Sequence, residues 1–444
     1  MEPTPTPDPV SRERPWPSER YGWAWVAILF VVFACSFIDR QIISLMVDPI
    51  RADLEISDTQ FGLLHGLSFA LLYCCAGIPI GYLVDHRRRG TIIAGGLFFW
   101  SVMTAVCGLS SRYWQLFIAR MGVGIGEATL SPASYSLLAD CFPPHKLGRA
   151  LSVFISGAGM GAGLAMIAGG FVIDYVQSMP PTVLPIVGEL QSWQAAFLLV
   201  GLPGIPLAII VFLFREPERR GRSADGAVAS WADFRAFLRR RAKLIFGLTF
   251  GAGCGSAISI GMLSWLPAFL MRAHGQSSLE VGVTLGLVTV VGITTGLLSG
   301  AWLAERLAAR GTAHAELKVM GWALCAAVAA ATLVAAAGNA QTAYVAIAVL
   351  LFCGNIPFGI AAAALQGYTP GALRGRMSAV YLLLQNASGM ILGPLIPALL
   401  NDSLFPGRGD RIGVSLAMSI AIFGLAGAAL LAMARRAADD PAPT

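Results

Sequence analysis

The sequence predicts an all-α membrane protein with twelve transmembrane helices in two pseudo-symmetric six-helix bundles. Three observations support this prediction: the composition, the number of long apolar segments and the distribution of positive charge between them. Apolar residues make up 56% of the 444 residues and charged residues only 13%, whereas a soluble protein is about 25% charged. Because so few charges cannot cover a soluble core, the bilayer is the solvent for most of the chain.

Twelve apolar segments are long enough to cross about 30 Å of hydrocarbon as helices. They lie at 22–46, 60–84, 91–110, 113–140, 147–175, 193–214, 244–270, 279–304, 317–337, 342–366, 376–400 and 411–434. Residues 1–20 are rich in proline and carry mixed charge. We therefore expect a disordered cytosolic tail there, and not a cleaved signal peptide.

Positive charge is distributed very unequally between the two ends of these segments. Of the 31 Lys and Arg residues, 24 lie on the side that holds both termini and 5 on the other, while Arg40 and Arg120 lie inside spans. Cytosolic loops carry the excess of Lys and Arg. We therefore expect a multi-pass protein of the cell inner (plasma) membrane with both termini in the cytosol.

The longest hydrophilic segment follows the sixth span and divides the chain. Within it, Trp231, Phe234, Phe237 and Leu238 fall on one helical face, which predicts an amphipathic helix on the anionic inner leaflet; a flexible linker is the alternative. The predicted organisation is a tail at 1–20, a six-helix bundle at 21–214, a cytosolic linker at 215–243, a second six-helix bundle at 244–436 and a tail at 437–444.

Short patterns recur in both halves at nearly one spacing, which indicates an internal repeat. Two six-helix repeats related by an axis along the membrane normal are typical of one large class of secondary transporters. The matching patterns are Ser57–Gly62–Gly66 with Ser277–Gly282–Gly286, Asp85-His86 with Glu305-Arg306, and Gly148-Arg149-Ala150 with Gly375-Arg376-Met377.

The loop after the second span reads Gly81-Tyr-Leu-Val-Asp85-His86-Arg87-Arg88-Arg89. It resembles the major facilitator signature Gly-x-x-x-Asp-Arg-x-x-Arg, with His86 in place of the first Arg. We expect Gly81 to let two helices approach closely, and Asp85 to pair with an Arg or a helix N-terminus in one conformation only. Gly81, Asp85, Arg89 and Arg149 are thus predicted to form a gate; a positive-inside loop without a gating role is the alternative.

Four ionisable residues interrupt apolar spans: Asp39, Arg40, Arg120 and Glu127. Each charge at mid-membrane costs about 2.5–3.5 kcal/mol if it is unpaired, so they should pair or face water. At 1.5 Å per residue, Asp39, Arg40 and Arg120 have similar depths, and Glu127 lies roughly 10 Å nearer the midplane. This arrangement suits a proton-coupled anion site; a purely structural salt bridge is the alternative.

Other polar or aromatic residues inside spans could line a cavity or form helix–helix hydrogen bonds. Because the second half has almost no buried acids or bases, we expect its wall of the cavity to be apolar and the substrate to be amphipathic. The candidates for substrate contact are His65, Trp265, Asn355, Tyr381 and Gln385.

Span five carries Gly157, Gly161 and Gly163 among other small residues. Gly157 and Gly161 have the small-xxx-small spacing of closely packed helices. We expect this span to pack against a helix of the other half; ordinary membrane packing is the alternative.

A closer resemblance covers most of the first half. The stretch 38–170 resembles the Spinster family, whose members move lysolipids or sphingosine phosphate. The resemblance implies substrate binding at Arg40 and Arg120 and protonation-linked switching through Asp39 and Glu127. It rests on Phe37-Ile38-Asp39-Arg40, Ser57-Asp58-Thr59-Gln60-Phe61-Gly62, Gly81-x-x-x-Asp85, Arg120-x-x-x-Gly124-x-Gly126-Glu127 and Gly148-Arg149-Ala150.

The predicted function is proton-coupled secondary transport of an amphipathic organic anion, such as a lysolipid or sphingoid phosphate, by alternating access. The alternatives are a proton symporter of a small sugar acid or aromatic acid, and more remotely a membrane enzyme. We expect no catalytic residues, no metal, no cofactor and no nucleic-acid partner. The expected partners are the anionic substrate, protons and membrane lipids, and the expected state is a monomer.

Overall fold

The computed structural model describes residues 16–178, 183–184, 188–219 and 231–439. Most of the predicted N-terminal tail, the middle of the predicted linker and the last five residues lie outside this range. The side chains of a few helical residues, Asp85 among them, also lie outside the description. The described chain is helical apart from one short hairpin and the connecting turns.

The first half contains ten α-helices, a 3₁₀ turn at Ile42–Leu45 and an antiparallel hairpin. The hairpin strands, β1 (Val183–Leu184) and β2 (Gly188–Glu189), pair Val183 with Glu189. The helices are α1 (Glu19–Gln41), α2 (Val47–Leu54), α3 (Asp58–His65), α4 (Leu67–His86), α5 (Arg89–Cys107), α6 (Tyr113–Glu127), α7 (Leu130–Cys141), α8 (Pro144–Ser178), α9 (Ser192–Gly201) and α10 (Gly204–Leu213).

The linker and the second half contain eight α-helices. Short 3₁₀ turns occur at Gly371–Leu373 and Gly409–Arg411, and a π-helical segment at Ser388–Leu392 precedes Pro394. The helices are α11 (Trp231–Arg240), α12 (Ala242–His274), α13 (Ser278–Ala309), α14 (Ala315–Ala335), α15 (Ala340–Tyr368), α16 (Arg374–Ala387), α17 (Gly393–Leu404) and α18 (Ile412–Asp439).

The twelve predicted spans are all present as helical segments, and the all-α membrane architecture is confirmed. Eleven continuous or nearly continuous helical segments in the described chain are long and apolar enough to cross a bilayer. The fourth predicted span is the exception, because it is broken between α6 and α7. There the Thr129 hydroxyl donates to the Gly126 carbonyl oxygen at 2.8 Å, and this local bond competes with continuous helical hydrogen bonding.

The neighbours of the glycine residues show where the two halves pack against each other. The face at which α1 begins and α18 ends is here called the terminal face, and the opposite one the far face. Near the far face, a Cβ on Gly62 would lie 2.8 Å from the Pro394 carbonyl oxygen, and Gly66 abuts the Met390 carbonyl. Further along α4, Gly77 and Gly81 have nothing within 4 Å. The halves are therefore closed together at the far face and apart along this helix near the terminal face.

This arrangement corrects the expectation for Gly81, which borders open space in this conformation and supports no close helix contact. The reason is its position in the half of α4 that points to the terminal face, where the second half has moved away. Its counterparts Gly62 and Gly66, near the other end of the same span, make the close contact instead.

The glycines of α8 face two different neighbours. A Cβ on Gly163 would lie 2.5 Å from the Gly286 carbonyl oxygen, so this position packs against α13 of the other half. Gly157 and Gly161 instead face Phe30 and Phe37 of α1, within the first half. Span five therefore contacts the other half at Gly163, whereas Gly157 and Gly161 pack within the first half.

Arg89 holds together the terminal end of the first half. Its guanidinium pairs with Asp140 and with Glu216, the latter at 2.7 Å, and donates to the Ser136 carbonyl oxygen at 2.9 Å. The Arg89 side chain is only 1% exposed. Predicted as part of a gate, Arg89 in this conformation joins α5, α7 and the first residues of the linker, and none of these partners belongs to the second half.

Arg89→Ala should destabilise the purified protein. Removing one partner of a buried ion pair leaves the remaining charge uncompensated, which costs about 3–5 kcal/mol. Arg88→Ala is the matched control, because the Arg88 side chain is 68% exposed. Thermal unfolding in detergent should show a clear loss for Arg89→Ala alone; equal melting temperatures for both variants would contradict this structural role of Arg89.

Candidate functional site

The four ionisable residues of the spans come together between α1 and α6. Asp39 and Arg40 lie in the last turn of α1, and Arg120 and Glu127 lie two turns apart on α6. Glycines of α6 allow close packing on α4 and α5: Gly124 abuts the Phe69 carbonyl of α4, and a Cβ on Gly126 would lie 2.7 Å from Cβ of Trp100 in α5. The Gly124-Ile-Gly126 sequence thus sets Glu127 deep against its neighbours.

Two contacts join the helices at this cluster. Arg40 Nε donates to Glu127 Oε2 at 2.5 Å, and Arg120 Nη1 donates to the backbone carbonyl oxygen of Asp39 at 3.1 Å. The Glu127 side chain has no exposed surface, whereas the Arg40 side chain retains 18%. Arg40 is therefore the member of this ion pair that an incoming solute can reach.

Aromatic rings enclose the two guanidinium groups. The carbon of the Arg40 guanidinium lies 4.7 Å from the ring centre of Phe69, 5.2 Å from Tyr73 and 5.3 Å from Phe37, and that of Arg120 lies 5.6 Å from Phe69. Cation–π contacts of this kind strengthen when water is excluded. The sequence analysis did not identify Phe37 and Phe69 as part of the site. Their spacing could have indicated it, because Phe37 lies three residues before Arg40 and Phe69 lies four residues before Tyr73, each on the same helix face.

Two polar atoms of the cluster remain without a protein hydrogen-bond partner among the described residues. These atoms are Arg120 Nε and Glu127 Oε1, both buried. A buried polar atom without a partner costs about 1–3 kcal/mol. The cluster therefore offers a donor to an anion at Arg120 and an acceptor to a proton at Glu127.

Buried acidic side chains among the described residues all belong to the first half or to the start of the linker. Apart from Arg272, whose side chain is 8% exposed at the far face, the second half buries uncharged polar side chains, namely serine, threonine, asparagine and glutamine. The buried ionisable residues of the first half are Asp39, Asp58, His65, Arg89, Arg120, Glu127 and Asp140.

His65 and Trp265 lie in the closed layer toward the far face. His65 Nε2 is 3.3 Å from the Ser264 hydroxyl oxygen of the other half, and Trp265 Nε1 donates to the Pro394 carbonyl oxygen at 2.8 Å. Phe61 stands between them, 5.7 Å from Trp265 by ring centres. Trp265 is fully buried and its donor is satisfied, so in this conformation it packs the closed layer and lines no cavity.

Asn355, Tyr381 and Gln385 are buried within the second half. Asn355 accepts from the Ser259 hydroxyl at 2.8 Å and donates to the Leu351 carbonyl at 2.8 Å. Tyr381 and Gln385 lie one turn apart on α16, 2% and 5% exposed. The expectation that all of these residues line one cavity with Arg40 and Arg120 is therefore not met in this conformation, and only the two arginines come together.

A network of charges closes the far face. Arg272 of α12 donates to both carboxylate oxygens of Asp58, at 2.9 and 3.0 Å, and to Asp48 at 2.8 Å. Asn401 donates to Asp58 at 3.0 Å, and the Thr59 backbone N–H donates to Asp402 at 2.7 Å. Bidentate Arg–carboxylate pairs of this type are strong and directional, so they fix the contact between the halves.

Sequence reasoning missed this network. The available signal was a break in the internal repeat: Ser57-Asp58 in the first half corresponds to Ser277-Ser278 in the second, so only one repeat carries a carboxylate there. Both serines cap their helices through a capping box with the residue three positions on. The shared helix cap explains why the serine recurs in both halves. The carboxylate of Asp58 is not needed for the cap and binds Arg272 of the other half.

The repeat also places similar contacts at the terminal face. The Arg149 guanidinium lies 5.4 Å from the ring centre of Trp23, and Arg376 lies 4.7 Å from Trp231 of the linker helix α11. Arg149, predicted as part of a gate, contacts its own half in this conformation. The side chain of Asp85, the central residue of that predicted gate, lies outside the described residues.

Curated proteins similar to this chain are membrane transporters. An MFS-type efflux pump of Mycolicibacterium smegmatis is 29% identical over 92% of this chain and 91% of its own length. A probable L-galactonate transporter of Escherichia coli is 26% identical over 83% of this chain and 80% of its own. Protein spinster homolog 1 of Bos taurus is 29% identical over 64% of this chain and 54% of its own length.

Solved structures share the fold. The crystal structure of a bacterial homolog of the human lysosomal transporter Spinster, in an inward-facing and unoccupied conformation, covers 96% of this chain and 100% of its own with a TM-score of 0.82 at 24% identity. The D-xylose–proton symporter structure has a TM-score of 0.67 at 16% identity, with 93% of this chain and 97% of its own covered.

The family match covers most of the chain. The Major Facilitator Superfamily matches residues 29–394, which include the cluster of α1 and α6, the Asp58–Arg272 pair of the far-face network and parts of both halves. With the Spinster likeness in both sequence and structure, the resemblance noted from the motifs is confirmed. This chain belongs to the major facilitator superfamily of membrane transporters and resembles its Spinster members.

Proposed function

We propose that this transporter moves an amphipathic organic anion, coupled to protons, by alternating access. The observation that carries the proposal is the Arg40–Glu127 pair, in which a partly exposed guanidinium is held by a buried carboxylate. Lysolipids and sphingoid phosphates belong to the proposed substrate class. The proposed location is a cell inner membrane, with both termini in the cytosol.

The geometry supports a simple coupling. While Glu127 is ionised, it occupies Arg40 at 2.5 Å. Protonation removes that competitor and leaves Arg40, together with Arg120, to bind a phosphate or carboxylate. An anion on Arg40 and a proton on Glu127 therefore favour each other, which is the linkage that proton symport requires.

The distribution of contacts between the halves supports alternating access. Close glycine contacts and the Asp58–Arg272 pair hold the far face shut, whereas Gly77 and Gly81 border open space toward the terminal face. With the termini in the cytosol, this is an inward-open arrangement. Secondary transporters with two repeats rock about a binding site near the midplane.

The difference between the halves supports an amphipathic cargo. The charged head of the substrate would meet Arg40 and Arg120 in the first half. The apolar part would face the second half, where the nearly buried Arg272 is already engaged by Asp58 and Asp48 at the far face and the other buried polar side chains of the described residues are uncharged. One relative fits this class by name, the sphingosine-1-phosphate transporter SPNS2 of Xenopus tropicalis.

A small sugar acid is the second candidate, favoured by relatives. The E. coli relative is a probable L-galactonate transporter, and a Bacillus subtilis relative is a probable galactarate/D-glucarate transporter. Such substrates carry many hydroxyl groups that need partners from both halves. In the second half Asn355 is already satisfied by Ser259 and Leu351, so the amide that the sequence singled out there has no free group for a sugar hydroxyl in this conformation.

Glu127→Gln should abolish the pH dependence of anion binding. In the wild type the anion Kd should fall by up to about tenfold per unit of decreasing pH, the limit for one linked proton. Glutamine mimics the protonated carboxyl, so the variant should bind tightly at every pH and lose proton-driven accumulation. Binding assays from pH 5 to 8, with Glu305→Gln as the exposed control, test this; a wild-type pH slope in Glu127→Gln would exclude this carboxyl as the proton site.

Arg120→Ala should abolish transport, because truncating a buried charged partner costs about 2–5 kcal/mol, more than 30-fold in affinity. Arg112→Ala, which changes an exposed arginine at the start of the same helix, should behave as the wild type.

A thermal-shift panel of lysolipids, sphingoid phosphates and sugar acids identifies the substrate class. The amphipathic anions should stabilise the wild type and should not stabilise Arg120→Ala. Stabilisation by the sugar acids alone would instead support the second candidate, and unchanged uptake by Arg120→Ala would remove the anion site.

Asp58→Asn should favour opening of the far face, because it removes the charge that Arg272 holds in bidentate fashion. Spin labels at the exposed far-face positions Ala52 and Ala273, with Cys75 and Cys325 replaced, should show a longer distance population. Asp53→Asn is the control, since Asp53 contacts Trp193 within its own half at 3.0 Å. Identical distance distributions for the two variants would contradict the proposed gate.

A further inference from the structure

A crevice separate from the central cluster lies between α4 and α5. Both helices pack against α6, which leaves a groove between them that is closed at its base by α7. Its volume is about 480 Å³, within the range of small-molecule sites. The lining residues are Leu83, Arg87, Arg88, Thr91, Ile92, Gly95, Gly96 and Thr129.

This crevice opens toward the lipid and away from the cavity between the halves. Gly81 borders the space between the halves, and Leu83 follows two residues later, about 160° around the same helix. Leu83 is 42% exposed, as expected for a side chain that faces the bilayer. A solute in transit between the halves therefore does not pass through the crevice.

Arginine side chains line the rim of the crevice at the terminal face. Arg87 and Arg88 are both exposed there, and Arg88 lies 3.9 Å from Glu216. Glu216 is already engaged by Arg89 at 2.7 Å and by the Gly90 backbone N–H at 3.2 Å. Arg219 adds a third guanidinium, which donates to the Val84 carbonyl oxygen at 2.6 Å. The rim therefore presents the exposed guanidinium groups of Arg87 and Arg88.

Below this rim the crevice is apolar and continues toward the middle of the bilayer. Gly95 has nothing within 4 Å of its Cβ position, so it leaves room for a ligand. On the same face of α5, Phe98 is 51% exposed one turn further on. A rim of exposed guanidinium groups above an apolar groove is complementary to a lipid with an anionic head and an acyl chain.

We propose that this crevice binds one anionic glycerophospholipid from the leaflet at the terminal face. The headgroup phosphate is held by Arg87 and Arg88, and an acyl chain lies along Leu83, Ile92 and Gly95. The lipid is a bound partner of the transporter and not its cargo, so this site is independent of the anion site at Arg40.

Native mass spectrometry of the full-length protein with phosphatidylglycerol or phosphatidylcholine of identical chains tests the proposal. The wild type should retain one phosphatidylglycerol in preference to phosphatidylcholine. Arg87→Gln combined with Arg88→Gln should weaken that binding about 10- to 30-fold, given about tenfold or less for each arginine at an anionic surface. Gly95→Leu should lower it comparably by filling the groove while leaving every charge in place.

The matched control is Arg306→Gln combined with Arg310→Gln, which removes two exposed charges from the corresponding loop of the other half. This control should bind phosphatidylglycerol as the wild type does. The proposal is overturned if the control loses as much as the Arg87/Arg88 variant, if Gly95→Leu binds as the wild type, or if the wild type shows no preference between the lipids. Substrate binding by the Arg87/Arg88 variant should be unchanged, so failure here is distinct from failure of the transport site.

Discussion

The requirement that a charge inside the hydrocarbon be paired governs the first half of this protein. The Glu127 side chain has no exposed surface, and Arg40 of another helix forms an ion pair with it at 2.5 Å. Gly124 and Gly126 pack α6, which carries Glu127, closely against α4 and α5. Phe69 then covers both guanidinium groups from α4. Three helices are thus held together around one ion pair, and a change in its protonation acts on all three.

The second span provides a physical connection between this cluster and the closed far face. Phe69 and Tyr73 contact Arg40, while His65, Gly66 and Gly62, one to three turns earlier along the span, contact the second half. Gly66 separates α3 from α4 and lies at the bend between them. An anion that displaces Arg40 would therefore change its contacts with Phe69 and Tyr73, which belong to the same span that closes the far face. Because Arg40–Glu127 lies within one half and Asp58–Arg272 joins both, binding and gating use different ion pairs along one helix.

Periodicity and charge distribution were sufficient to predict the twelve spans, because the bilayer imposes a length and a polarity on each of them. The buried charges were also recognisable, since Asp39, Arg40, Arg120 and Glu127 interrupt apolar runs. The pairing of Arg40 with Glu127 could not be recognised, because the rise per residue of the helices placed Glu127 nearer the midplane than Arg40. The contacts of Arg89 could not be recognised either, because its partners Asp140 and Glu216 are distant in sequence. The contacts of Gly81 depend on conformation, which a sequence does not specify.

The two halves share helix caps and surface contacts but differ in the side chains that they bury, and this difference constrains the substrate. Both begin their second span with a serine cap, and both carry an arginine stacked on tryptophan at the terminal face. Apart from Arg272 at the far face, the second half buries no charged side chain among the described residues. A wholly polar solute between such halves would find no charged partner in the cavity wall of the second half, and each of its groups left without a hydrogen bond would cost about 1–3 kcal/mol. An amphipathic anion turns its head to the arginines and its apolar part to the other wall, so the asymmetry that would penalise a sugar acid stabilises this cargo.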